Sequence, residues 1–195
     1  RKAITTGEGG MVVTSDPALA RQIRMLRNHG LDPDAATPEF LTPGFNYRLT
    51  EFQAAFGLTQ LAKLDRIIAA RWERAARYNT LFADTPFVAP SVAPGHEPVY
   101  QSYVALLPPE LAAHRTALIQ ALKAQGVEIT IGTWHIPLIN YYRTRYGYCT
   151  GDFPAADAVF SRALTLPLHE TLKEEEQAQV VTALCETVAH VGARE

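Results

Sequence analysis

Cysteine is almost absent from this sequence. Cys149 and Cys185 are the only two in 195 residues; they are far apart and show no CxxC spacing, so neither a disulfide framework nor a zinc site is signalled. An excess of basic charge is missing as well, because 18 Lys and Arg face 20 Asp and Glu for a formal net charge of −2, and a chain without a basic surface is a poor partner for nucleic acid. No apolar run approaches the roughly 20 residues that span a bilayer, and the opening Arg1-Lys2-Ala3-Ile4 lacks the charged-then-apolar layout of a secretory signal. These absences predict a soluble protein of the reducing cytoplasm with no nucleic-acid or membrane partner. There is no GxSxG elbow, no GxGxxG after a strand and no Walker loop, so hydrolase, dehydrogenase and nucleotide-triphosphatase readings lack support. His96, His114 and His190 have no second ligand at i+3 or i+4, which argues against a metal site. An initiator Met is lacking too, and the chain begins inside a motif, so a fragment is expected.

What is present reads as strands alternating with helices, an α/β layout with a small terminal lobe. Thr5-Thr6-Gly7-Glu8-Gly9-Gly10 is a glycine-rich turn feeding Met11-Val12-Val13-Thr14, whose β-branched residues suit a buried strand. Ser15 or Asp16 caps the next helix, Pro17 suits its first turn, Leu19, Ile23 and Leu26 recur at helical spacing, and Gly30 stops it. Residues 31–45 read as a surface loop. Thr50 and Gln53 form a capping box, and Leu58, Leu61, Leu64 and Ile68 continue an apolar stripe, which predicts one long bridging helix to about Phe82. The Pro-rich stretch Pro86 to Pro98 holds neither a helix nor a central strand, and a domain transition is expected there, with residues 1–85 in one domain and 86–195 in a second. Beyond it the pattern predicts a strand over Val99 to Leu106, a helix over His114 to Gln125 closed by Gly126, and a strand over Val127 to Ile131. An aromatic loop from Trp134 to Tyr148, a short helix near Ala155 to Ala163, the Leu164-to-Leu168 segment and a last helix capped by Thr171 and Glu174 complete the chain.

A lysine at position 2, taken alone, is a solvated side chain. The whole string Lys2-Ala3-Ile4-Thr5-Thr6-Gly7-Glu8-Gly9-Gly10, with Arg27-Asn28-His29-Gly30 after it, closely resembles the cofactor-lysine segment of the DegT/StrS-like sugar aminotransferases, a fold-type-I branch of the aspartate aminotransferase superfamily. Gly44-Phe45-Asn46-Tyr47-Arg48-Leu49-Thr50-Glu51-Phe52-Gln53 is similar to the family's second signature, and Leu166-Pro167-Leu168-His169 to its terminal strand. The resemblance covers nearly the whole chain. It implies the end of a large cofactor-binding domain followed by a small α/β domain. In the family the lysine forms a Schiff base with pyridoxal 5'-phosphate and then shuttles protons, which points to Lys2 as catalytic and cofactor-binding. The family's loop asparagine reaches the cofactor phosphate of the neighbouring subunit, which points to Asn46 acting in trans in a homodimer with shared active sites. The implied reaction passes an amino group, from a donor such as glutamate, to a keto group on a nucleotide-linked sugar. The residues that precede the lysine in the family are expected to come from a missing N-terminal half.

The residue types suit that chemistry. A free lysine, with a pKa of about 10.4, is mostly protonated at neutral pH and needs a desolvated or cationic setting to attack an aldehyde; the neighbouring Arg1 supplies charge. Arg48 suits a phosphate or substrate, or else pairs with Glu51 on the helix. In Gly132-Thr133-Trp134-His135-Ile136-Pro137 the chain departs from the family, many of whose members carry a histidine where Pro137 stands; His135, two positions earlier, is the substitute. Trp134 and His135 are therefore substrate candidates. A sugar dehydratase is a further reading, but relatives of that kind replace the lysine with histidine. A non-catalytic, regulatory member of the family is another.

Overall fold

A computed structural model describes residues 2–192, with side chains as far as 190; Arg1 lies outside the described residues. The chain divides into two compact units, Lys2–Leu64 and the residues from Asp65 onward.

In the first unit, helix α1 (Pro17–Leu26) is built as its sequence dictates: Asp16 Oδ1 accepts from the N–H groups of Ala18 and Leu19, and Pro17 occupies the first turn. Gly30 then reverses the chain at φ +82°, and a Cβ there would meet the Thr42 carbonyl oxygen at 1.5 Å, so only glycine fits. Arg21 reaches across to Asp32 at 2.6 Å and Asp34 at 2.9 Å, ordering the start of the loop. The strand expected over Met11 to Thr14 does not form: no strand lies beside it among the described residues, and Met11 and Val13 are 85% and 87% exposed. β-branched residues favour a strand only where a neighbour supplies hydrogen bonds and cover.

The helix expected from Thr50 to Phe82 is two helices, α2 (Glu51–Leu61) and α3 (Leu64–Phe82). The capping box at the start forms as expected, Thr50 and Gln53 each satisfying the other's backbone N–H. The break comes where Lys63 N–H bonds the Gln60 carbonyl, three residues back, in place of the helical fourth. That tightening interrupts the ladder without any proline or glycine to announce it.

In the second unit three short strands make an antiparallel sheet in the order β1-β3-β2, with β1 (Tyr103–Leu106), β2 (Thr130–Ile131) and β3 (Ala163–Leu166). Tyr103 faces Leu166 and Leu106 faces Ala163 on one side of β3, while Thr130 faces Thr165 on the other. Leu107 and Arg162 extend the pairing, each N–H or guanidinium N–H meeting the other's carbonyl. β1 starts four residues later than its pattern predicts, because Tyr100 sits at φ +43° and the carbonyls of Tyr100 and Gln101 are drawn to the buried Arg71 guanidinium at 2.8 and 3.0 Å. Helices α3, α4 (Arg115–Ala124) and α7 (Glu174–Gly192) contribute to the core around the sheet, which is built from Tyr78, Tyr103, Leu118, Leu122, Leu164 and Leu184. Gln177, fully buried in α7, donates to the Arg74 carbonyl at 2.9 Å, so its amide is satisfied inside an apolar surround. The expected Thr171–Glu174 box is not formed. The helix starts at Glu174, and Glu176 accepts from Lys173 N–H at 2.7 Å, one half of such a box displaced by two residues.

The segment read as an aromatic loop holds a 3-10 turn, Ile136–Leu138, and a short helix α5 (Asn140–Tyr146). Tyr142 and Tyr146 stack at 5.9 Å, the i, i+4 contact of one helical turn, and Gly147 closes it at φ +73°. Helix α6 (Pro154–Arg162) leads directly into β3. No helix among the described residues is long and apolar enough to cross a membrane.

Candidate functional site

The sequence-predicted site residues fall into two groups, one in each unit. In the first, Lys2 is exposed and makes no hydrogen bond or ion pair among the described residues. The segment that carries it is not loose. Gly7 turns the chain at φ +84°, its N–H donating to Thr5 Oγ1 at 3.0 Å, and Thr6 Oγ1 donates to the Glu8 carbonyl at 2.8 Å. Two side chains of α2 then fasten it: Gln53 Nε2 donates to the Glu8 carbonyl at 2.9 Å, and Gln60 Oε1 accepts from Thr5 N–H at 3.4 Å. Gln53 thus caps a helix and ties down the lysine segment, a double use its position in the capping box gives no hint of.

The other motifs of this unit, 27–30 and 44–48, lie side by side. His29 N–H donates to the Phe45 carbonyl at 2.8 Å, Tyr47 N–H to the Arg27 carbonyl at 2.8 Å, and Asn28 pairs with Asn46 as an antiparallel bridge. Asn46 keeps an exposed side chain, and the rings of its two chain neighbours, Phe45 and Tyr47, stack on each other with centroids 4.8 Å apart. Arg48 is exposed and donates to Asn28 Oδ1 at 2.5 Å, so its partner is Asn28 rather than Glu51. Asn28, to which the sequence pattern assigns no role, orients the guanidinium across 20 residues of sequence.

In the second unit Trp134 is 69% exposed and His135 only 6%. The imidazole is wedged edge-on against Phe160, and Nε2 lies 2.5 Å from Asp157 Oδ1. Asp157, in the first turn of α6, accepts from Gly151 N–H through its other oxygen at 2.8 Å. Sequence reasoning missed Asp157, and no local pattern marks an aspartate 22 residues from its histidine. Two clefts flank the 3-10 turn. One of about 350 Å³ is lined by Trp134, His135, Val159 and Phe160, and one of about 470 Å³ by Tyr142, Tyr146, Tyr148 and Phe153.

Residues 1–185 match the DegT/DnrJ/EryC1/StrS aminotransferase family. The chain belongs to that family. Among curated relatives, the uncharacterized protein MJ1066 of Methanocaldococcus jannaschii is 32% identical over 96% of this chain and 52% of its own length. Among solved structures, PseC of Helicobacter pylori, an aminotransferase involved in the biosynthesis of pseudoaminic acid, is 26% identical with a TM-score of 0.87, over 97% of this chain and 51% of that one. DesV of S. venezuelae, solved in complex with a ketimine intermediate, is 30% identical with a TM-score of 0.77, over 89% of this chain and 45% of that one. The chain spans about half the length of the relatives it matches. Over that half it has the α/β aminotransferase fold.

Proposed function

We propose that this chain is the C-terminal half of a pyridoxal-phosphate-dependent aminotransferase that passes an amino group, from glutamate, to the keto group of a nucleotide-linked sugar. The observation that carries the reading is the amine of Lys2, exposed and without a partner among the described residues at the head of a segment fastened to α2, in a chain that matches the family from end to near end. The donor set fits the cofactor in part: a primary amine suits its aldehyde, and an exposed carboxamide at Asn46 suits its phosphate. When bound, pyridoxal phosphate supplies an electrophilic carbon and an electron-withdrawing ring. Lys2 would hold that group through its ε-amine and would serve as general acid and base. Asn46 would donate from its amide to the phosphate of the group held by a partner subunit. Arg48, one N–H spent on Asn28, keeps others for an anionic group of the substrate. The open face of Trp134 offers a flat apolar wall for a sugar ring.

The other half of the relatives' fold, in this reading, supplies the carboxylate for the pyridine nitrogen, the ring stacked on the cofactor and most phosphate donors. Apolar surface supports that division. Phe52 is 86% exposed, α2 has no buried residue, and Met11, Val12 and Val13 lie open, a face that water does not favour. Residues 1–85 then close the large domain and 86–195 form the small one, in a cytoplasmic homodimer. Borohydride reduction of the full-length protein in the presence of the cofactor, followed by peptide mapping, is expected to leave the label on Lys2. Label on a different lysine, or none in a protein that transfers amino groups, sinks the assignment.

A further inference from the structure

Helix α2 turns its apolar side chains outward and a polar stripe inward. Phe52, Phe56, Leu58 and Leu61 stand exposed, while Gln53, Gly57 and Gln60, four and then three residues apart on one face, are half-buried. That stripe lies against the segment that carries Lys2 and runs antiparallel to it: Gln53 meets Glu8, Gly57 meets Thr6 and Gln60 meets Thr5. A Cβ on Gly57 would stand 3.1 Å from Thr6 Cγ2, tighter than side chains ordinarily pack, so the bare backbone at this position admits the segment.

The two amides meet opposite demands. The Glu8 carbonyl only accepts, so Gln53 turns its NH2 to it at 2.9 Å and keeps its oxygen for Thr50 N–H at 3.1 Å. The Thr5 N–H only donates, so Gln60 offers its oxygen, at 3.4 Å the weaker contact. Glutamate completes a capping box as well as glutamine does, so the box alone gives no reason for an amide at position 53. The Glu8 carbonyl does.

We infer that Gln53 and Gln60 are positioning residues for Lys2: a donor and an acceptor two turns apart on α2 fix residues 5–8, and with them the place of the Lys2 amine. This rests on the proposed function in taking Lys2 to be the amine that reacts.

One substitution made at both positions tests it. Gln53→Glu keeps an oxygen for Thr50 N–H but sets a carboxylate against the Glu8 carbonyl, whereas Gln60→Glu still accepts from Thr5 N–H. Both bring the same charge to the segment, so a difference between them is not a charge effect. In full-length protein stripped of cofactor, amide exchange over residues 3–10 is expected to quicken about tenfold in Gln53→Glu and to stay native in Gln60→Glu, with unchanged urea midpoints in both. Gln60→Leu, which removes the weaker contact, is expected to quicken it about threefold. When pyridoxal phosphate is added back, the rate at which borohydride-fixable label appears on Lys2 is expected to fall about tenfold in Gln53→Glu, while the total bound, read by equilibrium dialysis, holds. Equal behaviour of the two glutamate variants, native or loosened, would overturn the inference, and so would faster exchange with an unchanged rate at Lys2. Should Gln53→Glu fail to fold, Gln60→Leu against Gln60→Glu decides by the same two readings. Label on another lysine in the native protein ends the Lys2 assignment; native exchange in Gln53→Glu ends this inference and leaves that assignment standing.

Discussion

Raising the pH is expected to destabilise this protein through two phenols. Tyr78 and Tyr103 are fully buried with ring centroids 4.9 Å apart; Tyr78 donates to the Pro167 carbonyl at 3.0 Å and Tyr103 to Asn79 Oδ1 at 2.7 Å. Burial pushes the Tyr78 hydroxyl well above its usual range, against a smaller downward pull from Gln177, and burial pushes Tyr103 up as well, helped by Tyr100 and Tyr78. The folded protein therefore keeps both protons at a pH where the unfolded chain gives them up. Below about pH 10 both states are protonated and the two groups contribute no pH dependence. Above it stability falls as the unfolded state ionises, by about 1.4 kcal/mol per tyrosine one pH unit higher, or about 3 kcal/mol for the pair. That is a large share of the roughly 5–15 kcal/mol of a typical domain. Tyr78→Phe with Tyr103→Phe keeps the rings, loses about 1 kcal/mol at neutral pH for each hydrogen bond, and removes the alkaline decline. Urea unfolding followed by circular dichroism across the alkaline range measures both. If the double variant loses stability above pH 10 as steeply as the native protein, the burial argument is wrong.

Four further outcomes are expected. Leu122→Ala empties a fully buried position in the same core and costs about 3 kcal/mol in denaturant unfolding, less if the helices collapse inward. Gly30→Ala drives a methyl into the Thr42 carbonyl at a positive φ, costs about 2 kcal/mol or more, and is expected to raise hydrogen exchange at the His29 and Tyr47 amides before those of the sheet. Asp16→Ala removes the cap of α1 for about 1 kcal/mol, read as faster amide exchange at Ala18 and Leu19; unchanged exchange there would discount the cap. In the full-length protein, subunits carrying Lys2→Ala mixed with subunits carrying Asn46→Ala are expected to recover about a quarter of native activity, because random pairing gives one intact shared site in half of the dimers. No recovery on mixing would place Asn46 in the same subunit as its lysine.

The parts of the site legible in sequence were those whose chemistry sits in a contiguous string. The candidates Lys2, Asn46 and Arg48 each lie in a contiguous motif, and the family to which those motifs pointed is the one the chain belongs to. The partners were not legible. Asn28 holds Arg48, Gln53 holds Glu8, and Asp157 holds His135, each across a separation at which no spacing rule operates.

Three helix ends were determined by local signals. Asp16 with Pro17 started α1, Thr50 with Gln53 started α2, and Gly126 closed α4, because caps and turn glycines act on backbone groups within a few residues of themselves. The tertiary structure decided everything that needed a second segment. Among the described residues, Met11 to Thr14 had a strand's residues but no neighbour to pair with, Arg71 took the carbonyls that would have lengthened β1, and a carboxylate from α6 gave the His135 imidazole a hydrogen-bond partner. A hydrogen bond between distant segments depends on where the chain returns, and the local pattern of residues carries no record of that.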